Sequence, residues 1–199
     1  MMLEGFDCSH YQGYIDWPAA KGGASFAFIK ASEGVDMTDA RYHSNVRRAA
    51  SAGVIPGAYH FFLPTRDATE QAKHYLQVVG SFLGMLPPVI DLETQGDMDP
   101  ADYRKSLSAW LHVVETETGH KAIIYTYPDF GERMLADAYI GHSLWIAAYR
   151  PEPVTLAWPK ATFWQYSEHG SFEGVPGAGQ VDLDRFLGSE EELKALVVK

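Results

Sequence analysis

The sequence has one cysteine, Cys8, in 199 residues. An internal disulfide needs two cysteines and a multi-cysteine zinc site needs more, so both are excluded. Cys8 itself reads as a small buried hydrophobe. Cations are also scarce: 16 Lys and Arg stand against 26 Asp and Glu, a net charge of −10. That argues against a nucleic-acid partner, because phosphate binding needs clustered Lys and Arg. It gives no general attraction to an anionic membrane or cell wall either. No stretch approaches the roughly 20 apolar residues of a membrane span, so no membrane insertion is expected. The N-terminal residues Met1 to Asp7 lack a basic region leading into an apolar run, so no signal peptide is expected. Serine-nucleophile chemistry lacks its GxSxG turn, and the eight histidines show no HxH or HExxH spacing. There is no glycine-rich phosphate loop, and "GVPGAG" at 174–179 reads as a turn.

What remains is an ordinary globular composition, 46% hydrophobic and 21% charged. It fits one domain over 1–199, a size that buries roughly 70% of its unfolded surface. Short apolar runs alternate with amphipathic stretches. Strands are predicted at Leu3 to Asp7, Ser25 to Lys30, within Val54 to Phe62, at Pro87 to Glu93 and at Lys121 to Tyr127. Helical patterns separate them at 39–53, 67–83 and 99–119. Asp67 with Glu70 has capping-box spacing. Ala68, Ala72, Tyr75, Leu76, Val79 and Leu83 recur at helical period. Asp99, Pro100 and Gly119 bracket the last of the three helices. After residue 143 come three more strands, "SLWIAAY", "ATFWQYS" and "QVDLDRF", with few helices, then a short helix at 189–197. About five βα units followed by three strands predict an α/β fold, a single-domain, irregular TIM-like β/α barrel.

In such a barrel the chemistry sits at the strand ends. Reading the ends in order gives Asp7, Lys30 and Glu33, Tyr59 and His60, Asp91 and Glu93, Tyr125 and Tyr127, Tyr149, Gln165 and Asp182. One Asp after a strand commonly caps a turn. Carboxylates at several matching places point instead to a shared pocket. Asp91 and Glu93 are the strongest pair. Residues i and i+2 of a strand face one side, with Cα atoms about 6.5–7 Å apart. Two carboxylates in a partly dry site cannot both ionise freely, so one holds its proton. A protonated acid beside an ionised one is what glycosidic cleavage requires. Five Trp and eleven Tyr favour a sugar, since aromatic faces stack on pyranose rings. Tyr11, Trp17, Tyr59, Tyr125, Tyr127, Trp145, Tyr149, Trp164 and Tyr166 all fall near strand ends. A metal-dependent hydrolase using Asp7, His60, Asp91, Glu93 and Asp182 is a competing reading. A glycan-binding module without turnover is another.

The blocks "GFDCSHYQGYIDW", "FAFIKASEG", "GVIPGAYHFF", "PPVIDLE", "LWIAAY" and "FWQYSEHGSFEGVPGAGQVDLDRF" stand in an order that resembles glycoside hydrolase family 25, the muramidase lysozymes. The resemblance spans about 4–187; Cys8 stands where the family more usually has Val. It implies a flattened β/α barrel that hydrolyses, with retention, the β-1,4 bond between N-acetylmuramic acid and N-acetylglucosamine in peptidoglycan. Glu93 is then the general acid and Asp91 its partner, with Asp7 and Asp182 completing an acidic cluster. No metal or organic cofactor is implied. Tyr59, Tyr125, Gln165, Lys30, Glu33, Trp145 and Tyr149 are the expected substrate contacts. Whether an aspartate or the substrate's acetamido oxygen attacks is left open. The partner is the peptidoglycan glycan strand, and a monomer is expected. Action at the wall, outside the cell or in the periplasm, requires delivery as a phage lysin, by an effector route or with a leader removed.

Overall fold

The computed structural model describes residues 2–177 and 179–199. Nine strands form one sheet: β1 (Leu3–Cys8), β2 (Phe26–Glu33), β3 (Met37–Thr38), β4 (Ile55–Phe61), β5 (Val89–Asp91), β6 (Ile123–Thr126), β7 (Ser143–Ala147), β8 (Phe163–Gly170) and β9 (Val181–Phe186). Their order is β1-β9-β8-β7-β6-β5-β4-β2-β3, and a β1–β2 pairing closes eight of them into a barrel. Neighbours pair in parallel from β1 through β2 and β4 round to β8. The last strand, β9, runs antiparallel to both β8 and β1. The fold is therefore an irregular TIM-like barrel with one reversed stave. The two-residue β3, a small hairpin against Ser32 and Glu33, has no counterpart in the sequence reading.

The helices are α1 (Trp17–Ala20), α2 (Tyr42–Ala52), α3 (Ala68–Val79), α4 (Pro100–Thr118), α5 (Pro128–Phe130, continuing into a π turn at Gly131–Leu135) and α6 (Glu190–Leu196). Only α2, α3 and α4 are long, so two of the five expected βα units carry barely a turn of helix. Asp67 caps α3 by accepting from the Glu70 amide, and Gly80 ends it. Glu70 does not complete a capping box; its carboxylate pairs with Lys73 instead. Leu83, expected on the buried face of this helix, lies past its end and is 71% exposed. Asp99, Pro100 and Gly119 bound α4 as predicted, and Trp110 is buried within it. None of the helices among the described residues is long and apolar enough to cross a membrane.

Side-chain alternation builds two cores. Outward-facing strand residues such as Phe6, Ile29, Ile90 and Ile124 pack beneath the helices. Inward-facing Phe26, Phe28, Val89, Ile123, Phe163 and Phe186 fill the lower barrel, closed from below by Leu193 of α6. Gly5 and Gly57 admit these rings. A Cβ on Gly57 would come within 2.6 Å of Phe28, and one on Gly5 within 2.7 Å of Phe26. The same inward-facing rows turn polar at the upper mouth.

Candidate active site

The sequence places Asp91 at the end of β5 and Glu93 two residues on, with Leu92 fully buried behind them. Both acids line one cavity of about 320 Å³, together with Asp7 of β1 and Asp182 of β9. The four expected acids are thus brought together at one mouth. Strand reversal is what makes this possible for Asp182. It is the second residue of β9, not near its end, and it reaches the upper mouth because β9 enters from there. Its Cα pairs with that of Asp7.

A β-bulge arranges the cation. The β2–β4 register shifts between Lys30 and Ser32. Lys30 points into the barrel, Ser32 is turned outward, and Glu33 comes back beside Lys30 at 2.6 Å. In an unbroken strand residues i and i+3 face opposite sides, so the bulge is what lets this pair form. Lys30 lines the cavity; Glu33 meets it at the rim.

Gln165 is the hub of the floor. Its Nε2 donates to Asp7 Oδ2 at 2.6 Å. Its Oε1 accepts from the hydroxyls of Tyr125, at 3.0 Å, and Tyr149, at 2.9 Å. Tyr59, Tyr125, Trp145 and Tyr149 all line the cavity. Trp145, however, keeps little surface for a substrate. It is 2% exposed. Its indole stacks on Phe28 with centroids 4.0 Å apart and packs against Tyr125 at 4.3 Å. Its Nε1 donates to Asp184 Oδ1 at 2.8 Å.

Asp184 is the residue the sequence reading missed. It is wholly buried, one layer below Asp182, paired in register with Gly5 and Gln165. Among the described residues no amide, hydroxyl or cation donates to its Oδ2 or to Oδ1 of Asp91; Asp184 meets Asp7 and Asp91 meets Glu93, contacts that bond only when one acid of the pair keeps its proton. The signal was present: "VDLD" at 181–184 repeats the spacing of "IDLE" at 90–93. Ser9, Tyr11, Gln12, Phe61 and Glu168 also border the cavity.

Burial, joined by mutual repulsion for all but Glu93, raises these acids above the usual carboxylate range. Asp7 is raised by burial and then by the charges of Asp182 and Asp184, against the hydrogen bond from Gln165. Asp184 is raised by burial and by Asp182, partly offset by the Trp145 bond. Asp182 is raised to about 6, by burial and then by Glu168. Asp91 is raised by burial and by Glu93. Glu93 is raised as well, and burial is the cause. Its neighbours act in the other direction, since Asp91 and Lys30 both favour its ionised form. Burial, rather than acidic crowding, is therefore the cause of the rise at Glu93. Asp91 and Glu93 titrate as a pair that shares protons.

Other residues read at strand ends lie away from the cavity. His60, read as a rim residue and possible metal ligand, faces away from the barrel. It lies fully buried against Trp110, between Ser32 Oγ at 2.9 Å and Gln71 Oε1 at 3.3 Å. Burial lowers its pKa to about 3. The residue after an inward Tyr59 must point outward, so the four acids have no imidazole beside them there. Among the described residues no group of three or more His, Cys, Asp or Glu is placed to hold a metal ion. Trp17 and Trp164 likewise belong to the outer core. Tyr166 bonds Glu4 on the outer surface at 2.9 Å. Tyr127 borders a second cavity of about 460 Å³ that shares Glu93, Tyr125 and Tyr149 with the first.

Comparison with known proteins agrees with this architecture. The family model described as "Glycosyl hydrolases family 25" matches residues 6–175. A relative named YegX, from Escherichia coli K12, is 37% identical over 98% of this chain and 73% of its own length. Lysozyme M1 from Streptomyces globisporus is 33% identical over 98% of this chain and 71% of its own length. The crystal structure of a bacterial lysozyme from Streptomyces coelicolor superposes with a TM-score of 0.91 at 32% identity, covering 99% of this chain and 97% of that one. A chain matched over most of its length, with the fold to correspond, belongs to glycosyl hydrolases family 25.

Proposed function

We propose that the chain, 1–199, is one catalytic domain that hydrolyses the β-1,4 bond between N-acetylmuramic acid and N-acetylglucosamine in peptidoglycan. The observation that carries this reading is the convergence of Asp7, Asp91, Glu93 and Asp182 on one cavity that four tyrosines also line. Glu93 sits at the mouth, half-buried, where a proton is retained yet a glycosidic oxygen can reach it. It donates that proton to the leaving sugar. Positive charge then develops at the anomeric carbon, and ionised carboxylates of the cluster stabilise it in a poorly hydrated site. Asp91, one layer deeper, is the ionised partner while Glu93 holds the pair's proton. Gln165 fixes Asp7, and Lys30 offsets the negative charge around Asp91 and Glu93. Retention is expected: an aspartate or the substrate's acetamido oxygen bonds the anomeric carbon as the leaving sugar departs, and water then displaces it, giving a proton back to the Glu93 carboxylate. The lysozyme and muramidase names of several relatives support the same reading.

Mass spectrometry of fragments released from purified peptidoglycan tests it. New reducing ends on N-acetylmuramic acid are the expected result. Reducing ends on N-acetylglucosamine would make the chain a glucosaminidase. Binding with no release would make it a glycan-binding module.

A further inference from the structure

Six large hydrophobic residues are conspicuously exposed among the described residues, and two of them, Tyr11 and Tyr149, border the catalytic cavity. Tyr149 is tied to Gln165 and belongs to the site already described. Tyr11 is different. The residue is 82% exposed, yet the turn that carries it is anchored twice.

The turn is a short 3₁₀ segment, His10–Gln12, with a complete capping box. Ser9 Oγ accepts from the Tyr11 amide at 3.3 Å, and Gln12 Oε1 accepts from the Ser9 amide at 2.8 Å. Gly13 closes the turn at φ +65°, a conformation that suits glycine. The second anchor comes from far along the chain. Asp39, 2% exposed, accepts from both the His10 amide and His10 Nδ1, each at 2.8 Å, while its other oxygen accepts from the Arg41 amide at 2.9 Å. The imidazole fixed in this way lies behind the Tyr11 ring, with centroids 4.0 Å apart. Exposure alone says little about a tyrosine, since single aromatic residues on a surface are ordinary. This one is backed on one side, open on the other and continuous with the cleft. Tyr14 offers a contrast on the same loop: it is 66% exposed, lies outside the cavity and has Arg48 over its ring at 4.1 Å.

We propose that Tyr11 is a stacking platform for an N-acetylhexosamine ring of the bound glycan, away from the scissile bond, and that His10 and Asp39 are its positioning pair. A rigid aromatic face loses little entropy when a sugar settles on it, which is what a pre-organised contact provides. The identity of the sugar rests on the muramidase reading.

Binding of β-1,4-linked N-acetylglucosamine oligomers, followed by calorimetry alongside peptidoglycan turnover, separates the two claims. Tyr11→Ala is expected to weaken binding about tenfold, the scale of one aromatic contact. Its turnover defect grows with glycan length. Tyr11→Trp and Tyr11→Phe are expected to restore both, and Tyr14→Ala is the control that changes neither. Loss of binding in Tyr11→Ala supports the platform even if the wild-type chain releases no fragments. A Tyr11→Ala protein that binds and turns over like an active wild type overturns the platform and leaves the enzyme standing. A wild-type chain that neither binds nor cleaves overturns both.

Discussion

Two stretches of this chain are written almost alike, "IDLE" at 90–93 and "VDLD" at 181–184, and the barrel uses them in opposite ways. Each carries two acids on one face with a leucine behind. The first runs up β5, so its second acid, Glu93, emerges at the mouth. The second runs down β9, so its first acid, Asp182, is at the mouth and its second, Asp184, is driven below into the tyrosine and tryptophan layer. The same spacing thus yields a half-exposed acid that can meet a substrate and a sealed acid that cannot. Strand direction, not composition, separates an accessible acid from a sealed one. The difference should appear in experiment as a division between rate and stability.

The largest effect belongs to Glu93. Glu93→Gln keeps the shape and the hydrogen-bonding capacity but cannot donate the proton. Turnover of peptidoglycan is expected to fall by about 10²–10⁴-fold, the usual scale for removing a general acid. Thermal unfolding should be unchanged or shifted upward, because a buried acid has been neutralised. Near-normal release of fragments by the folded variant would assign the acid elsewhere in the cluster.

Asp184 should show the reverse. Its Oδ1 is satisfied by Trp145, but Oδ2 meets no donor except a neighbouring acid, Asp7, and only when one of the two keeps its proton. Asp184→Asn keeps the acceptor for the indole and removes an ionisable group. In urea denaturation at pH 7.5 it is expected to gain about 1–2 kcal/mol, the scale of the one buried hydrogen bond that an amide, unlike a carboxylate, can donate to Asp7. The effect on stability should exceed the effect on turnover. A destabilised Asp184→Asn protein would mean that the carboxylate is needed in its ionised form, and the contrast between the two motifs would collapse.

This contrast also marks how far the sequence could be read. Alternation was legible, so Asp91, Glu93, Tyr59 and Tyr125 are found together in the cavity, and the caps at Asp67, Asp99 and Gly119 lie where local chemistry puts them. Direction was not legible. Nothing in "QVDLDRF" says that the strand descends, and without that fact Asp182 is placed at the mouth by assumption and Asp184 is overlooked. Local irregularity was also hidden. The bulge between Lys30 and Ser32 decides that Glu33 joins Lys30, and no residue type in "FAFIKASEG" announces it. His60 was misjudged for a simpler reason, because a strand end was read as two residues wide when only alternate positions face inward.

The smallest effect is the most diagnostic of the acidic mouth. Asp182 has an ordinary carboxylate pKa of 3.8 when unfolded and one of about 6 in the folded protein. Between these values the folded chain binds more protons than the unfolded chain. Stability therefore falls as pH rises through this window, and it is fully present only below it. Asp7, Asp91, Glu93 and Asp184 are shifted in the same direction, so their contributions have the same sign. The protein should melt at a higher temperature at pH 5 than at pH 7.5, and each kcal/mol should appear as about 2–4 °C for a chain of this size. Relief of the net charge of −10 on acidification works the same way, so the wild-type slope alone does not isolate the site. Asp182→Asn does: it changes the overall charge by one unit but removes a whole titration from the window, and the difference in melting temperature between pH 5 and 7.5 should shrink. An equal slope in the variant, or a wild type that melts earlier at pH 5, would show that Asp182 is not held in its protonated form and that the mouth is better hydrated than its geometry implies.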